Sequence, residues 1–398
     1  MAGLFHGRSR AGRSRRPAPS MRVTLFPAAQ GRRAVRGSLV SLLALGLVLV
    51  ATAPGAAADR DRDGLRDWFE RRYGETSPNR VDSDHDGVVD SAEDSDGDRL
   101  SNLAEQRLRT HPGKKDSDGD GVLDWAEDQN RNGIRDHREQ DRRPLPRGLT
   151  PTLKGSIRDV PARRAGCMTK RAGDRIRPCR YGARSSNRVV VIFGDSHAFH
   201  WVPALDRAGR ANGWRIVVLA KGACRSASVN LGAPPKRPCA RWRQKAIRWI
   251  QVNKPAAVLL SNAAPRDPGA VAKWRRALAF TLRAFPKRTR AAVLSDTPRP
   301  PREVARCLMR HRTDMSACQF SRGSARLWPA VRADRQAARA QGALHATLFG
   351  KVCSYDPCPL VQGNKLVYRG VHHITATMAR QLAPSMAAIV RQTLRLRR

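Results

Sequence analysis

The sequence predicts an α/β fold: a three-layer α/β/α domain around a central parallel sheet, preceded by a metal-binding loop-repeat stalk. Apolar strands alternate with helical stretches from about residue 186, an aspartate spacing recurs between residues 59 and 141, and charge divides the chain sharply. The 398 residues are too many for one small core. The net charge of +41 splits into +9 over residues 1–58, −10 over 59–141 and +42 over 142–398.

Nine arginines and no acid precede Gly37, and the apolar run Val40–Ala51 and the small residues Ala56–Ala58 follow. A basic region, a short apolar core and a small-residue site read as a signal peptide over 1–58, cleaved after Ala58. An uncleaved anchor is the alternative, although the run is shorter than the ~20 residues that span a bilayer. Arg32-Arg33 hints at twin-arginine export, and synthesis could start at Met21. The expected location is secreted or cell-envelope associated, with no integral membrane domain after cleavage.

Between Ala58 and Gln140 the spacing Asp59, Asp61, Asp63, Gly64, Asp67, Glu70 repeats as Asp82, Asp84, Asp86, Gly87, Asp90, Glu93 and as Asp116, Asp118, Asp120, Gly121, Asp124, Glu127. Looser copies are Asp94, Asp96, Asp98, Asn102, Glu105, with Arg99 in place of the glycine, and Asp128, Asn130, Asn132, Gly133, Asp136, Glu139. Oxygens at positions 1, 3 and 5 converge if glycine at 6 allows a sharp turn, and a carboxylate at 12 closes a shell of Ca²⁺ size. Such dense like charge should be loose until metal orders it, so calcium here is a structural cofactor; an acidic linker is the plain alternative. With the connecting Tyr73-Gly74-Glu75-Thr76-Ser77-Pro78 and Arg109-Thr110-His111-Pro112, the array over 59–141 resembles bacterial thrombospondin type 3 repeats. That resemblance implies a calcium-dependent spacer or adhesive stalk. Residues 142–150, with two prolines and no apolar periodicity, open a linker to about 160.

All eight cysteines lie beyond it as close neighbours: Cys167 and Cys179, Cys224 and Cys239, Cys307 and Cys318, Cys353 and Cys358. An even count in an exported chain favours disulfides, and sequential pairing is the simplest of the possible connectivities. No CxxC pair offers zinc a site. Outside a cell the basic part should meet anionic wall polymers, acidic polysaccharide or phospholipid headgroups; a solvated arginine-rich surface is the plain alternative. Export and the lack of a reader motif argue against nucleic acid.

Strands are expected at 188–193, 215–220, 256–261, 291–294 and 343–348, and helices around 198–212, 237–252, 268–284, 325–341 and 375–395. In a parallel sheet so built, sites form beyond the carboxyl ends of the strands. The first strand, Val189-Val190-Val191-Ile192-Phe193, runs into Gly194-Asp195-Ser196-His197. A serine at such a turn becomes a nucleophile once a base takes its proton, and His373 is placed to be that base. The Ser196 amide, the turn at Gly222 and the Asn262 side-chain amide could converge as an oxyanion hole. Asp195 reads as a structural acceptor of the turn, His197 and His200 as partners of backbone groups, and Trp201, Trp214, Trp242 and Trp249 as core or groove residues.

Gly194-Asp195-Ser196-His197-Ala198, Gly222 before Cys224, Asn262, the stretch Leu294–Pro301 with Cys307-Leu308, and Val361–Ala379 together resemble the SGNH hydrolase domain. More narrowly they resemble the domain often fused to acyltransferase-3 membrane proteins that O-acetylate surface polysaccharides. The resemblance covers about 160–398 and implies a flavodoxin-like fold with Ser196 as nucleophile, His373 as base, and Ser196, Gly222 and Asn262 as the oxyanion hole. No cofactor is implied for catalysis. The family motif has an aspartate three residues before the histidine, where this chain has Gly370. A Ser-His dyad, an acid supplied by Asp356 or Asp296, or a binding domain without turnover all remain open. The expected function is a serine esterase or O-acyltransferase acting on acylated cell-envelope polysaccharide or peptidoglycan. The alternative is a catalytically silent, calcium-stiffened wall-binding protein.

Overall fold

The computed structural model describes residues 58–398, apart from 132, 162–166, 228–237, 326 and 397–398. The expected signal segment lies outside the described residues, except for Ala58. Among the described residues no helix is long and apolar enough to cross a membrane.

Strands form where β-branched and aliphatic residues run without a breaker. In chain order they are β1 (Met168–Thr169), β2 (Cys179–Gly182), β3 (Val189–Gly194), β4 (Arg215–Lys221), β5 (Ala257–Ser261), β6 (Arg290–Leu294) and β7 (Leu344–Ala346). The sheet order is β1-β4-β3-β5-β6-β7, with β2 also on β4. All neighbours are parallel except β2, which runs antiparallel and pairs Cys179 with Val218. The sequence pattern did not reveal β1 or β2, because only Tyr181 of either strand is fully buried.

Alternate residues of the central strands feed two cores, as burial on both faces requires. Val190 and Ile192 join Ile216, Val218, Leu259 and Leu294 on one side. Val191 and Phe193 join Val217, Leu219, Leu260 and Val293 on the other. Helices cover both faces.

Three short helices belong to the repeat array: α1 (Asp67–Tyr73), α2 (Asn102–Leu108) and α3 (Asp136–Glu139). The first strand crossover holds α4 (Ser196–His200) and α5 (Val202–Asn212), which split the single expected helix at Trp201. The chain continues through α6 (Pro238–Asn253), α7 (Pro268–Arg283), α8 (Val304–Arg310), α9 (Arg322–Ala325), α10 (Trp328–Ala340) and α11 (Phe349–Val352). Two hairpins follow, β8 (Val361–Gln362) with β9 (Lys365–Leu366), and β10 (Tyr368–Arg369) with β11 (His373–Ile374). The last expected helix is broken at Leu382 into α12 (Ala376–Gln381) and α13 (Ala383–Arg395).

The cysteines pair in sequence order, 167–179, 224–239, 307–318 and 353–358, and no free cysteine is present among the described residues. Trp201, Trp214 and Trp242 are buried.

The acidic array is docked against the α/β domain. Val88, Val89 and Ala92 form a small core with Tyr355. Gln381 donates to Gly87 O at 3.1 Å, Gln140 donates to Asp356 O at 2.9 Å, Tyr355 donates to Asp141 at 3.3 Å, and Lys351 pairs with Asp86. The 142–160 segment forms no long element, as expected, yet it is tied down. Thr150 bridges to Lys365, and Asp159 accepts from Thr377 N at 2.9 Å, at the start of α12.

Candidate active site

The turn after β3 is set by close packing. A Cβ at Gly194 would overlap the Ser261 carbonyl of β5, so only glycine lets the two strand ends approach. Asp195 then caps α4, accepting from His197 N at 2.8 Å and from Ala263 N at 2.9 Å. Both oxygens serve backbone donors, and burial pushes this carboxyl up from its ordinary value. Asp195 is therefore a structural acceptor that pins the β5 loop to the β3 turn. Ser196 is the first residue of α4, half-buried, with its N–H at the open end of the helix.

Ser196 and His373 line one cleft of about 620 Å³, together with His197, Gly222, Ala223 and His372. His373 comes from β11, at the end of the β10–β11 hairpin. Its Nε2 is buried and accepts no hydrogen bond. Burial, then the neighbouring His197 and Arg369 charges, lower its pKa to about 3, so the ring is neutral at ordinary pH.

Among the described residues no carboxylate orients His373. Gly370 lies in the hairpin turn with φ +75°, a conformation that favours glycine, and nothing is within 4 Å of where a Cβ would be. Asp356 accepts from Arg322 N at 2.8 Å near the docked array and is no part of the cleft. Asp296 instead meets His197 Nδ1 at 2.5 Å and also pairs with Arg299. Burial would raise the Asp296 carboxyl, but His197 and Arg299 hold it well below the usual carboxylate range. The His197 ring lies 4.8 Å from the His373 ring, and both pack on His200, which is buried with neither ring nitrogen bonded. His197 thus departs from its expected backbone role. A histidine one residue after the serine and an aspartate just past β6 were the signals that could have revealed the pair.

The expected oxyanion donors are only partly brought together. Gly222 N is taken by Thr169 O at 3.0 Å, because β4 is still paired with β1 there. Asn262 is turned to the β4 loop, giving Nδ2 to Ser226 Oγ at 2.9 Å and accepting from Ser226 N at 2.7 Å. Its role in the structure is to hold that loop. The next residue, Ala223, lines the cleft with φ +54°, and its N–H has no acceptor among the described residues.

A family model for the SGNH domain fused to AT3 domains matches residues 166–388. The chain belongs to the SGNH domain family. No curated protein matches it. Two solved structures are similar at low identity. The periplasmic domain of a lipopolysaccharide acetyltransferase from Salmonella ser. Paratyphi A is 14% identical at a TM-score of 0.42, covering 52% of this chain and 84% of its own. Est24, a carbohydrate acetylesterase from Sinorhizobium meliloti, is 11% identical at a TM-score of 0.31, covering 52% of this chain and 99% of its own.

Outside the matched SGNH domain, the array repeats one local geometry. Asp59, Asp61 and Asp63 gather ligand oxygens within 4.8 Å, as do Asp82, Asp84 and Asp86, then Asp94, Asp96 and Asp98, then Asp116, Asp118 and Asp120. The first aspartate accepts from the amide at position 6, as in Gly87 N to Asp82 at 2.9 Å and Gly121 N to Asp116 at 3.0 Å. The carboxylate at position 9 does something else. Asp90 accepts from Ser83 and Asp124 from Ser117, through both N–H and Oγ, while Asp67 is held by Arg60 and Arg71 and Asp136 by Gln129 N. These residues lock the loop on itself.

The fit to a hard cation is tested by buried oxygens that have no donor. Among the described residues, both carboxylate oxygens of Glu70 and of Glu105 are buried and unbonded, as are single oxygens of Asp59, Asp61, Asp94 and Asp96. Such groups are costly unless a cation compensates them, so the residues present fit calcium. In the fifth copy Asn132 lies outside the described residues, and Glu139 meets Arg142 and Asn130.

Proposed function

We propose that this protein is a serine esterase or O-acyltransferase acting on acylated cell-envelope carbohydrate through an acyl-Ser196 intermediate. One observation carries the reading: Ser196, at the open N-terminus of α4, shares a cleft with a neutral His373 whose buried Nε2 is unbonded. Membership of the SGNH family supports it. Four disulfides suit an oxidising location outside the cytoplasm.

In the reaction, Ser196 Oγ attacks the ester carbonyl carbon while His373 takes the hydroxyl proton. The developing oxyanion is met by the Ser196 and Ala223 amides, which line the cleft and have no acceptor among the described residues. The C–O bond to the sugar breaks, and the leaving oxygen receives the proton from His373. Water or a second sugar hydroxyl, deprotonated by His373, then attacks the acyl-serine and restores Ser196. Without an orienting carboxylate the base works as a dyad, which lowers turnover relative to a full triad.

A fluorophosphonate probe tests this reading. It should label the folded protein at Ser196, and Ser196→Ala should abolish labelling; an unlabelled folded protein overturns the enzyme. The turn at Gly370 favours one rival, a silent SGNH domain that binds wall polysaccharide, and that rival predicts no labelling.

The array is proposed to bind structural calcium, as in thrombospondin type 3 repeats. The support is the buried, donor-free oxygens of Glu70, Glu105 and the aspartate clusters. Calcium there supplies charge compensation and rigidity and takes no part in the ester chemistry.

A further inference from the structure

The cleft around Ser196 is lined with more cations than acids. Arg171, Arg225, Arg243 and Arg299 all face it. Among the described residues, Arg299 alone of the four makes an ion pair, with Asp296, buried behind His197. Asp195, the one acid lining the cleft among the described residues, spends its oxygens on the His197 and Ala263 amides.

Arg225 and Arg243 are held rather than floating. Arg225 Nε donates to Ala263 O at 2.6 Å, and Arg243 Nε donates to Arg225 O at 3.0 Å. Arg243 also rests on the Cys224–Cys239 bridge, with a nitrogen 3.2 Å from Cys239 Sγ. Each guanidinium has further N–H groups with no acceptor among the described residues. Burial lowers both guanidinium pKa values somewhat, and each stays charged. Fixed, partly dehydrated guanidinium forks suit a carboxylate or phosphate held by two parallel bonds. A neutral sugar would leave them dehydrated and unpaired, which is costly.

We infer that the cleft selects an anionic glycan, one carrying a carboxylate or phosphate beside the acyl ester, through Arg225 and Arg243 with Arg171 at the mouth. This rests on the esterase reading for the chemistry, while the anion selectivity is a binding property of the same cleft.

Calorimetry on the full-length calcium-loaded protein with trigalacturonate, a glycerol-phosphate trimer and neutral maltotriose separates the cases. One or both anionic ligands should bind, the two arms telling uronate from phosphate, and maltotriose should bind at least tenfold more weakly. Arg225→Gln/Arg243→Gln should weaken anion binding by roughly tenfold or more. The exposed pair Arg275→Gln/Arg276→Gln removes the same charge elsewhere and should change it less than twofold. Arg171→Gln, exposed and making no side-chain bond among the described residues, should weaken binding severalfold and guards against misfolding of the double variant. Equal binding of neutral and anionic ligands, or equal loss in both double variants, overturns the inference. Anion-selective binding without fluorophosphonate labelling would retain the inference and remove the esterase; labelling without selectivity would do the reverse.

Discussion

His373 is a base made weak by its surroundings. Burial and the adjacent His197 charge favour the neutral ring and bring its pKa from the ordinary 6.5 to about 3. A neutral imidazole is competent as a base, so the acid limb of activity should not appear near pH 6.5. For a 4-nitrophenyl acetate substrate, kcat/KM should stay within about twofold between pH 8 and pH 5. A limb centred near 6.5 would show that the ring is more solvated than the structure has it. The same shift acts on stability with a definite sign. Below pH 6.5 the unfolded chain binds a proton that the folded His373 refuses, so this residue makes folding less favourable as pH falls from 6.5 toward 3. Circular dichroism over the same pH range separates loss of fold from loss of chemistry.

At the level of elements, the core strands and crossover helices were legible because their signals are local. Val189–Phe193 and Ala257–Ser261 are unbroken apolar runs, and the expected strands fall within a few residues of those observed. The hairpins that carry His373 were not legible, since two-residue strands have no periodicity and depend on contacts with Leu360 and Thr150. The engagement of Gly222 and Asn262 elsewhere was not legible for a similar reason. Whether Gly222 is free depends on β1, a strand too short to read, and whether Asn262 is free depends on Ser226. Gly194 shows the opposite case, in which one residue type announces a packing demand. Its Cα sits against the Ser261 carbonyl, so Gly194→Ala must push β3 from β5 or displace the turn bearing Ser196. Overpacking of this kind costs on the order of 1–3 kcal/mol or more, here at the centre of the sheet. Urea unfolding should show a lower midpoint at unchanged slope, and probe labelling at Ser196 should fall as well. A variant with full stability would mean that the strand ends are looser than described.

For the whole molecule the consequential fact is that the acidic array and the α/β domain share a face. Gly87 packs on Leu382 and its carbonyl accepts from Gln381, at the end of the helix that follows His373, while Asp63 O lies near Gly363 of the β8–β9 hairpin. Calcium bound in the array, as proposed, would stabilise an interface as well as a set of loops, since binding to the folded state alone raises stability by mass action. With affinities on the order of 10⁻⁴–10⁻³ M, as in extracellular modules, about 1 mM calcium would add roughly 0.4–1.4 kcal/mol for each site. Differential scanning calorimetry should then show one cooperative transition that moves up by several degrees with calcium and back down with chelator. Glu105→Gln should remove about one site's share of that shift, because its carboxylate oxygens are buried with no donor to replace the metal. Two transitions, with only the smaller responding to calcium, would mean that array and domain unfold independently. A chain indifferent to calcium would overturn the metal reading while leaving the Ser196 cleft, whose lining includes no acid of the array, as it stands.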